Sequence, residues 1–261
     1  MPAPLRTSLG TSTPDSITLC GYDLCGELMG RVDFGDLAFL LVAGRLPTPP
    51  QSKLFNTVLL ALADHGLTPS AIAARLTYTG APESLQGAIA SGLLGAGDVF
   101  LGSLDKAAQL LQEGVRRAAV TDDQTLRSIA IELAAELRAS RAVVPGLGHP
   151  IHRTADPRTT LLFALVDEIG LLGPHVRLLR FLADAVNQDR SQPLPINAAG
   201  AAGAVLSDLD IDWHVVRGVA LVARAAGLVA HIREERVHPI GRHVWERVTE
   251  DVPYVAPNVD R

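Results

Sequence analysis

The chain of 261 residues has few aromatic side chains (4%), only two cysteines and no block of basic residues. With a formal net charge of −5, it is not expected to bind nucleic acid or an anionic membrane surface. Cys20 and Cys25 have no second cysteine or histidine pair to complete a zinc site, so we expect two reduced, buried thiols. The longest apolar runs, such as residues 37–43, are too short to span a bilayer, and the first residues lack the apolar core of a signal peptide. We therefore expect a cytoplasmic protein with no membrane or nucleic-acid partner.

Hydrophobic residues make up 48% of the chain, enough for a sizeable core. Apolar residues recur with the period of a helix, and no segment shows the alternation of a strand followed by a hairpin turn. The helical patterns cover residues 54–66, 84–97, 104–119, 123–140, 159–170, 175–189 and 212–236. The sequence therefore predicts an all-α fold with short loops rich in glycine and proline.

The segment PGLGHPIHRTADPR, residues 145–158, concentrates polar chemistry between two of these helices. Gly146 and Gly148 permit unusual backbone angles and the close approach of a ligand. A simple tight turn explains this Gly-x-Gly pair about equally well, and the third glycine of a dinucleotide-binding loop is absent. The glycines alone leave both interpretations open.

The polar residues after the glycines suggest a binding site for an anion. His149 can donate a hydrogen bond to a carbonyl or move a proton, whereas we interpret His152 as a solvated loop histidine. Asp156 and Pro157 are typical of a helix start, with the aspartate as N-cap. Arg158 then falls in the first turn, where a cation is unfavourable unless an anion faces it. That anion is either a ligand or the partner in a surface salt bridge.

Three further charged residues lie outside this segment. His65 ends an apolar helix, where it would complement the helix dipole. Arg224 lies within an apolar helix and needs an anion, either a structural carboxylate or a ligand. Arg236 fits a solvated helix face.

Taken in order, these segments resemble the citrate synthase superfamily, and most of all its citryl-CoA lyase branch. The similarity extends through most of the chain, and its most specific element is the GxGH…DPR pattern at residues 146–158. The other matching segments are residues 21–48, ADHG at 63–66, 91–111, LPINAAGAAGAVL at 194–206 and ARAAGLVAHIREER at 223–236.

The resemblance implies roles for the matching positions. His65 and His149 would hold and polarise a keto-acid carbonyl or the hydroxyl of citrate, as the catalytic residues. Carboxylates would be bound by Arg158 and Arg224, and across a dimer interface by Arg236. The coenzyme A site would be formed by Val144, Gly146, Gly148 and Arg153.

The chain departs from the family pattern at two positions. Phe100 falls where synthases have a histidine, and the lyase branch also carries phenylalanine there, so this residue favours a lyase. If Asn197 matches the asparagine of the family's NVD motif, the catalytic aspartate falls on Ala199, which cannot move a proton. Asp189 and Asp208 lie nearby in the sequence, but neither matches the motif.

The resemblance therefore predicts a lyase that cleaves citryl-CoA, or a related 3-hydroxy-3-carboxyacyl-CoA, to acetyl-CoA and oxaloacetate. Because of Ala199, condensation of the synthase type and non-catalytic binding of a CoA thioester or citrate stay open as alternatives. We expect coenzyme A as part of the substrate, no metal site and a homodimer. The domain plan is a large helical domain of residues 1–102 and 191–261 and a smaller inserted one of residues 103–190.

Overall fold

The structure, a computed structural model, describes residues 5–99, 101 and 103–257. Helices account for 63% of the chain, so the all-α prediction is confirmed. Phe100 lies outside the described residues. In chain order the helices are α1 (Phe34–Ala43), α2 (Pro49–Ala63), α3 (Pro69–Gly80), α4 (Leu85–Leu94), α5 (Ser103–Arg117), α6 (Asp123–Ala139), α7 (Pro157–Ile169), α8 (Pro174–Asn187), α9 (Ala198–Asp208), α10 (Trp213–Val237) and α11 (Gly241–Asp251).

A small antiparallel sheet precedes the helices, although the sequence predicted no strand. Its strands β1 (Gly10–Ser12), β2 (Ile17–Leu19) and β3 (Tyr22–Asp23) are too short to show an alternating pattern. Cys20 and Gly21 join β2 to β3 with positive φ angles of 49° and 87°, as in a two-residue hairpin turn. A one-turn π-helix, Leu24–Leu28, follows and contains Cys25, which is exposed rather than buried as expected.

The described residues fall into two compact units, residues 5–62 with 101–220, and residues 63–99 with 221–257. The predicted small domain, residues 103–190, lies within the first unit. The division of the chain into a large domain and this inserted one stays a prediction.

In the first unit, α9 packs against α5, α7 and α8. Small residues make this possible, since Ala201, Ala202 and Ala204 are fully buried and a Cβ atom on Gly203 would lie 3.0 Å from the backbone oxygen of Leu104. The close packing on α9 fixes the position of its first turn, where the polar loop described below is attached.

Helix α10 has 25 residues and is long and apolar enough, by length and composition, to cross a membrane. Charged residues such as Arg224 interrupt its apolar runs, so counting uninterrupted runs underestimated it. Buried core helices pass the same test, and both Arg224 and Glu235 of α10 are buried within the protein. We interpret α10 as a core helix.

The second unit depends on a close approach at Gly227 of α10. A Cβ atom there would lie 2.1 Å from the backbone oxygen of Ala63, at the end of α2. We expect Gly227→Ala to lower the free energy of unfolding by about 1–3 kcal/mol, because backbone must move to admit the methyl group. The midpoint of thermal or urea unfolding measures this change.

Gly218 provides the matched control in the same helix. It is exposed, and a Cβ atom there would meet nothing within 4 Å. Gly218→Ala should raise stability by about 1 kcal/mol through helix propensity. If both variants are equally stable, the close approach at Gly227 does not exist in solution.

Candidate active site

The loop before α7 is tied by hydrogen bonds to the segment that enters α9. The backbone N–H of Gly148 donates to the oxygen of Pro195 (2.7 Å), and that of Asn197 donates to the oxygen of Gly146 (3.0 Å). The Asn197 side chain donates from Nδ2 to the oxygen of Gly148 (2.8 Å) and accepts at Oδ1 from the N–H of Gly200 (2.9 Å). Asn197 therefore caps α9 and holds the loop at the same time.

Both glycines of the loop are required by its backbone. Gly146 and Gly148 have φ angles of 85° and 81°, which confirms the predicted unusual conformations. A Cβ atom on Gly146 would lie 2.7 Å from the Cα atom of Gly200, and one on Gly200 would lie 2.5 Å from the oxygen of Gly146. The loop and α9 therefore meet backbone to backbone.

Asp156 is the N-cap of α7, with Pro157 in the first turn, as predicted. Its buried carboxylate accepts four hydrogen bonds. Oδ1 accepts from the backbone N–H of Arg158 (3.0 Å) and from its Nε (3.0 Å). Oδ2 accepts from Nη2 of Arg158 (2.8 Å) and from the backbone N–H of Ala198 (3.0 Å), the first residue of α9. One side chain thus connects the starts of two helices.

The anion that faces Arg158 is therefore the carboxylate of Asp156. Of the two alternatives, a ligand or a salt-bridge partner, the structure shows the salt bridge, with a carboxylate that is buried. The first-turn position of Arg158 is thus no evidence for an anionic ligand. Burial alone would raise the pKa of Asp156, but the hydrogen bonds and positive charge of Arg158 outweigh burial and lower the pKa below its usual value. The Arg158 side chain remains one-quarter exposed, and its role as a carboxylate ligand stays a prediction.

His149 is oriented by the backbone of its own loop. Its Nδ1 accepts hydrogen bonds from the N–H groups of Ile151 (3.1 Å) and His152 (3.0 Å). A ring nitrogen that accepts carries no proton, so the neutral imidazole holds its proton on Nε2. His149 is thus arranged as a hydrogen-bond donor, which is what polarising a carbonyl requires.

His152 lies beside His149 and is half-buried, which corrects its interpretation as a solvated loop histidine. The two ring centroids are 4.5 Å apart and the planes are tilted by 30°. One ligand atom from each of His149, His152 and Asp156 lies within 4.8 Å of the other two. The H-x-x-H spacing within a turn was the available signal for this proximity.

This trio has the spacing of a metal site, whereas the sequence analysis found no metal-ligand cluster. Both oxygens of Asp156 already accept two hydrogen bonds each, so a cation would have to displace Arg158 or Ala198 from them. We therefore assign no metal to these residues.

Two clefts flank the loop in the first unit. The larger, of about 560 Å³, is lined by Gly148, His149, Arg153, Thr154 and residues 190–195. The second, of about 430 Å³, is lined by Val144, Arg138, Arg141, Asp189 and Arg190, among others. Arg190 borders both clefts.

Sequence reasoning missed Arg190 because it has no motif of its own. Residues 190–195, which line the larger cleft, are held by Asn187, whose side chain makes two hydrogen bonds to the backbone of Leu194 (2.8 and 3.0 Å). Arg153 and Arg190 supply two exposed guanidinium groups to the larger cleft, a combination suited to phosphates.

Ala199 is the second residue of α9 and is half-buried between two buried neighbours. Neither aspartate considered near it in the sequence replaces a carboxylate at this position. Asp208 caps α8 by accepting from the backbone N–H groups of His175 (2.9 Å) and Val176 (3.0 Å), and Asp189 lies 4.0 Å from Arg138 in the smaller cleft.

The second unit holds the remaining predicted site residues. His65 is exposed and lies just beyond the end of α2, in a turn where Gly66 has a φ angle of 72°. Arg224 is 7% exposed within α10, and Arg236 is exposed in the last turn of that helix. Their roles toward a substrate stay predictions.

A hydrogen-bonded chain in the second unit holds the residue before His65. Oδ1 of Asp64 lies 2.8 Å from Nε2 of His231, whose Nδ1 accepts from Nε of Arg75 (3.2 Å). Arg75 is 2% exposed and also donates to Glu235 (3.0 Å). No local pattern signals this chain, because each of these hydrogen bonds joins residues that are at least 156 positions apart.

The carboxylates at both ends of this chain are held in their charged forms. Burial would raise the pKa of Asp64, but hydrogen bonds from Gly66 and His231 lower it overall. Burial would likewise raise the pKa of Glu235. Hydrogen bonds from the N–H groups of Gly241 and Ile240, together with the hydrogen bond and charge of Arg75, lower it overall.

Comparison with known proteins gives one family and a consistent set of relatives. Residues 41–244 match the family model "Citrate synthase, C-terminal domain". The chain is 24% identical over 97% of its length to the probable ATP-citrate synthase of Dictyostelium discoideum, and 22% identical over 98% to the ATP-citrate synthase of Bos taurus. It spans 41% and 24% of the lengths of those two relatives.

Solved structures agree with these relatives. The citryl-CoA lyase of Hydrogenobacter thermophilus superposes with a TM-score of 0.87 and 28% identity, over 98% of this chain and 96% of that one. The ATP citrate lyase of Methanothrix soehngenii, solved with citrate and coenzyme A, has a TM-score of 0.78 and 21% identity, over 99% of this chain and 42% of that one.

The contribution of the Asp156 carboxylate to stability can be tested by replacing it with the neutral amide of asparagine. Asp156→Asn should lower the free energy of unfolding by about 2–3 kcal/mol at pH 7, because the partly buried Arg158 loses its counter-charge. The lowered pKa of Asp156 stabilises the folded protein above the usual aspartate pKa, and this stabilisation is lost as the pH falls below about 4. The difference in the free energy of unfolding between the parent and Asp156→Asn, measured by urea unfolding, should therefore become smaller below that pH.

Asp122→Asn is the control. Asp122 is an exposed N-cap of α6, and asparagine caps a helix equally well, so this variant should keep nearly the stability of the parent. A difference between parent and Asp156→Asn that does not change between pH 7 and pH 3 would contradict the ion-paired state of Asp156.

Proposed function

Because the chain belongs to the citrate synthase family, we propose that it is an enzyme of the citryl-CoA lyase type. It would cleave citryl-CoA, or a related 3-hydroxy-3-carboxyacyl-CoA, to acetyl-CoA and oxaloacetate. The proposal includes coenzyme A as part of the substrate, no metal, and a homodimer in the cytoplasm.

The observation that carries this proposal is the arrangement of His149 in the loop of residues 145–158. Two backbone N–H groups occupy its Nδ1, so Nε2 can donate to the oxygen that changes from hydroxyl to carbonyl. A donor held in place before the reaction stabilises charge on that oxygen without reorganisation. The likeness to a citryl-CoA lyase over nearly the whole of both chains supports the same reaction.

The coenzyme A part of the substrate would use the clefts beside the loop. Arg153 and Arg190 border the larger cleft, and guanidinium groups bind phosphates through paired hydrogen bonds. Val144, Gly146 and Gly148 would complete this part. In the same proposal, His65, Arg158, Arg224 and Arg236 bind the carboxylates and the carbonyl of the acid.

Ala199 favours a second candidate, a non-catalytic protein that binds citrate or a CoA thioester. Loss of a positioned acid or base reduces a rate by about 10²–10⁴-fold, and Ala199 stands where the resemblance expects such a group. Condensation in the synthase direction would need the same missing group. Measuring turnover distinguishes the non-catalytic binding protein from the lyase and from the synthase.

We expect the purified protein to release acetyl-CoA and oxaloacetate from citryl-CoA, and His149→Ala to lower kcat by at least about 10²-fold, because the donor at the reacting oxygen is lost. A coupled assay that reduces oxaloacetate with NADH and malate dehydrogenase measures both. His243→Ala, at an exposed histidine of α11, is the matched control and should keep the parent rate.

Each result decides between the candidates. Turnover that is lost in His149→Ala and kept in His243→Ala supports the lyase. Binding of citryl-CoA by calorimetry without any turnover rejects the lyase and leaves the binding protein.

The coenzyme A site has a test of its own. Arg153→Ala and Arg190→Ala should each weaken binding of free coenzyme A by about tenfold, since each removes one charged donor from an exposed cleft. Isothermal titration calorimetry measures the dissociation constants. Arg242→Ala, at an exposed arginine of α11, is the control, and equal affinities in all four proteins would exclude this cleft as the phosphate site.

A further inference from the structure

Cleavage of citryl-CoA moves one proton from oxygen to carbon. The hydroxyl group loses its proton and becomes a carbonyl while the adjacent carbon–carbon bond breaks. The electron pair of that bond passes to the thioester fragment as an enolate, whose carbon then takes a proton to form the methyl group. A proton carrier is required, and Ala199 cannot act as one.

His149 is unsuited to accept that proton. Its Nδ1 receives two backbone N–H groups, so its remaining nitrogen already holds a proton in the neutral ring. A group arranged in this way donates a hydrogen bond to the reacting oxygen and leaves the role of base to another residue.

We propose that His152 is the proton carrier of this site and takes over the task that the missing carboxylate at position 199 leaves open. This inference rests on the proposed lyase function. It assigns a catalytic role to a residue that neither the family motif nor the sequence analysis singled out.

The position of His152 supports this role. Its ring lies against that of His149, with centroids 4.5 Å apart, and is half-buried. One of its nitrogens lies within 4.8 Å of a carboxylate oxygen of Asp156. The same carboxylate accepts the backbone N–H of Ala198, the residue directly before Ala199. His152 is therefore beside the hydrogen-bond donor His149. It is connected to the helix start that carries Ala199 through the carboxylate of Asp156.

A single imidazole balances the reaction. Neutral His152 accepts the hydroxyl proton and becomes an imidazolium ion as the carbon–carbon bond breaks. The imidazolium ion then gives its proton to the enolate carbon and returns to the neutral form. The cycle consumes no other acid, base or co-reactant.

Two substitutions separate proton transfer from packing. His152→Gln keeps hydrogen-bonding groups, and His152→Phe keeps a ring against His149, but neither carries a proton. We expect both to lower kcat by about 10²–10⁴-fold, with KM and the affinity for citryl-CoA changed less than about threefold. The hydrogen bond from the His152 backbone to His149 does not involve the side chain, so His149 stays oriented in both variants.

Rescue is the more specific test. In the His152→Gln background, Ala199→Asp restores a carboxylate at the position where the family resemblance expects one, and we expect kcat to recover at least tenfold. A residue that only supports the loop would not be replaced by a carboxylate on another helix. Thermal unfolding of each variant checks that the fold is kept.

The outcomes separate this inference from the proposed function. An active parent with His152→Gln or His152→Phe equally active overturns the role of His152 and leaves the lyase intact. Loss of kcat in both variants without recovery by Ala199→Asp also overturns it, in favour of a supporting role. An inactive parent rejects the lyase and this inference together. Loss of kcat in both variants, followed by recovery, supports it.

Discussion

The site in the first unit depends on the buried carboxylate of Asp156. A buried charge is costly unless donors surround it, and Asp156 meets that condition with three N–H groups of Arg158 and one of Ala198. Those donors belong to the starts of α7 and α9, so satisfying one charge fixes two helices relative to each other. The loop between Gly146 and Asp156 is then anchored at both ends.

Local signals predicted much of this arrangement, and long-range contacts explain what they missed. The Asp156–Pro157 helix start and the special glycines were correct because caps and positive φ angles depend on neighbouring residues. The bond from Ala198 to Asp156 joins residues 42 apart, and no local pattern encodes it. The ion pair between Arg158 and Asp156 is local, but the sequence assigned Asp156 only the role of N-cap, and the anion that faces Arg158 stayed open as a ligand or a salt-bridge partner. The sheet was not predicted because strands of two or three residues are too short to show the alternation of apolar and polar residues.

The orientation of His149 limits what this residue can do. Its Nδ1 is occupied by the backbone N–H groups of Ile151 and His152, and the two left-handed glycines, Gly146 and Gly148, lie just before it in the same loop. The N–H groups of Ile151 and His152 therefore determine which nitrogen of the imidazole holds the proton. In the proposed lyase reaction, a donor fixed in this way would support an oxygen that gains negative character, and a second, separate residue would carry the proton.

The alanine at position 199 also changes the electrostatics of the helix start. The first turn of α9 carries the positive end of the helix dipole, and an aspartate there would offset part of that potential. Asn197, a neutral cap, leaves the potential in place, and the charge of Asp156 is balanced by Arg158. A helix N-terminus without a carboxylate of its own favours a nearby negative charge, and in the proposed lyase reaction that charge would be the enolate. Under the proposed function, the absence of the carboxylate is thus compatible with catalysis, with His152 as the proton carrier.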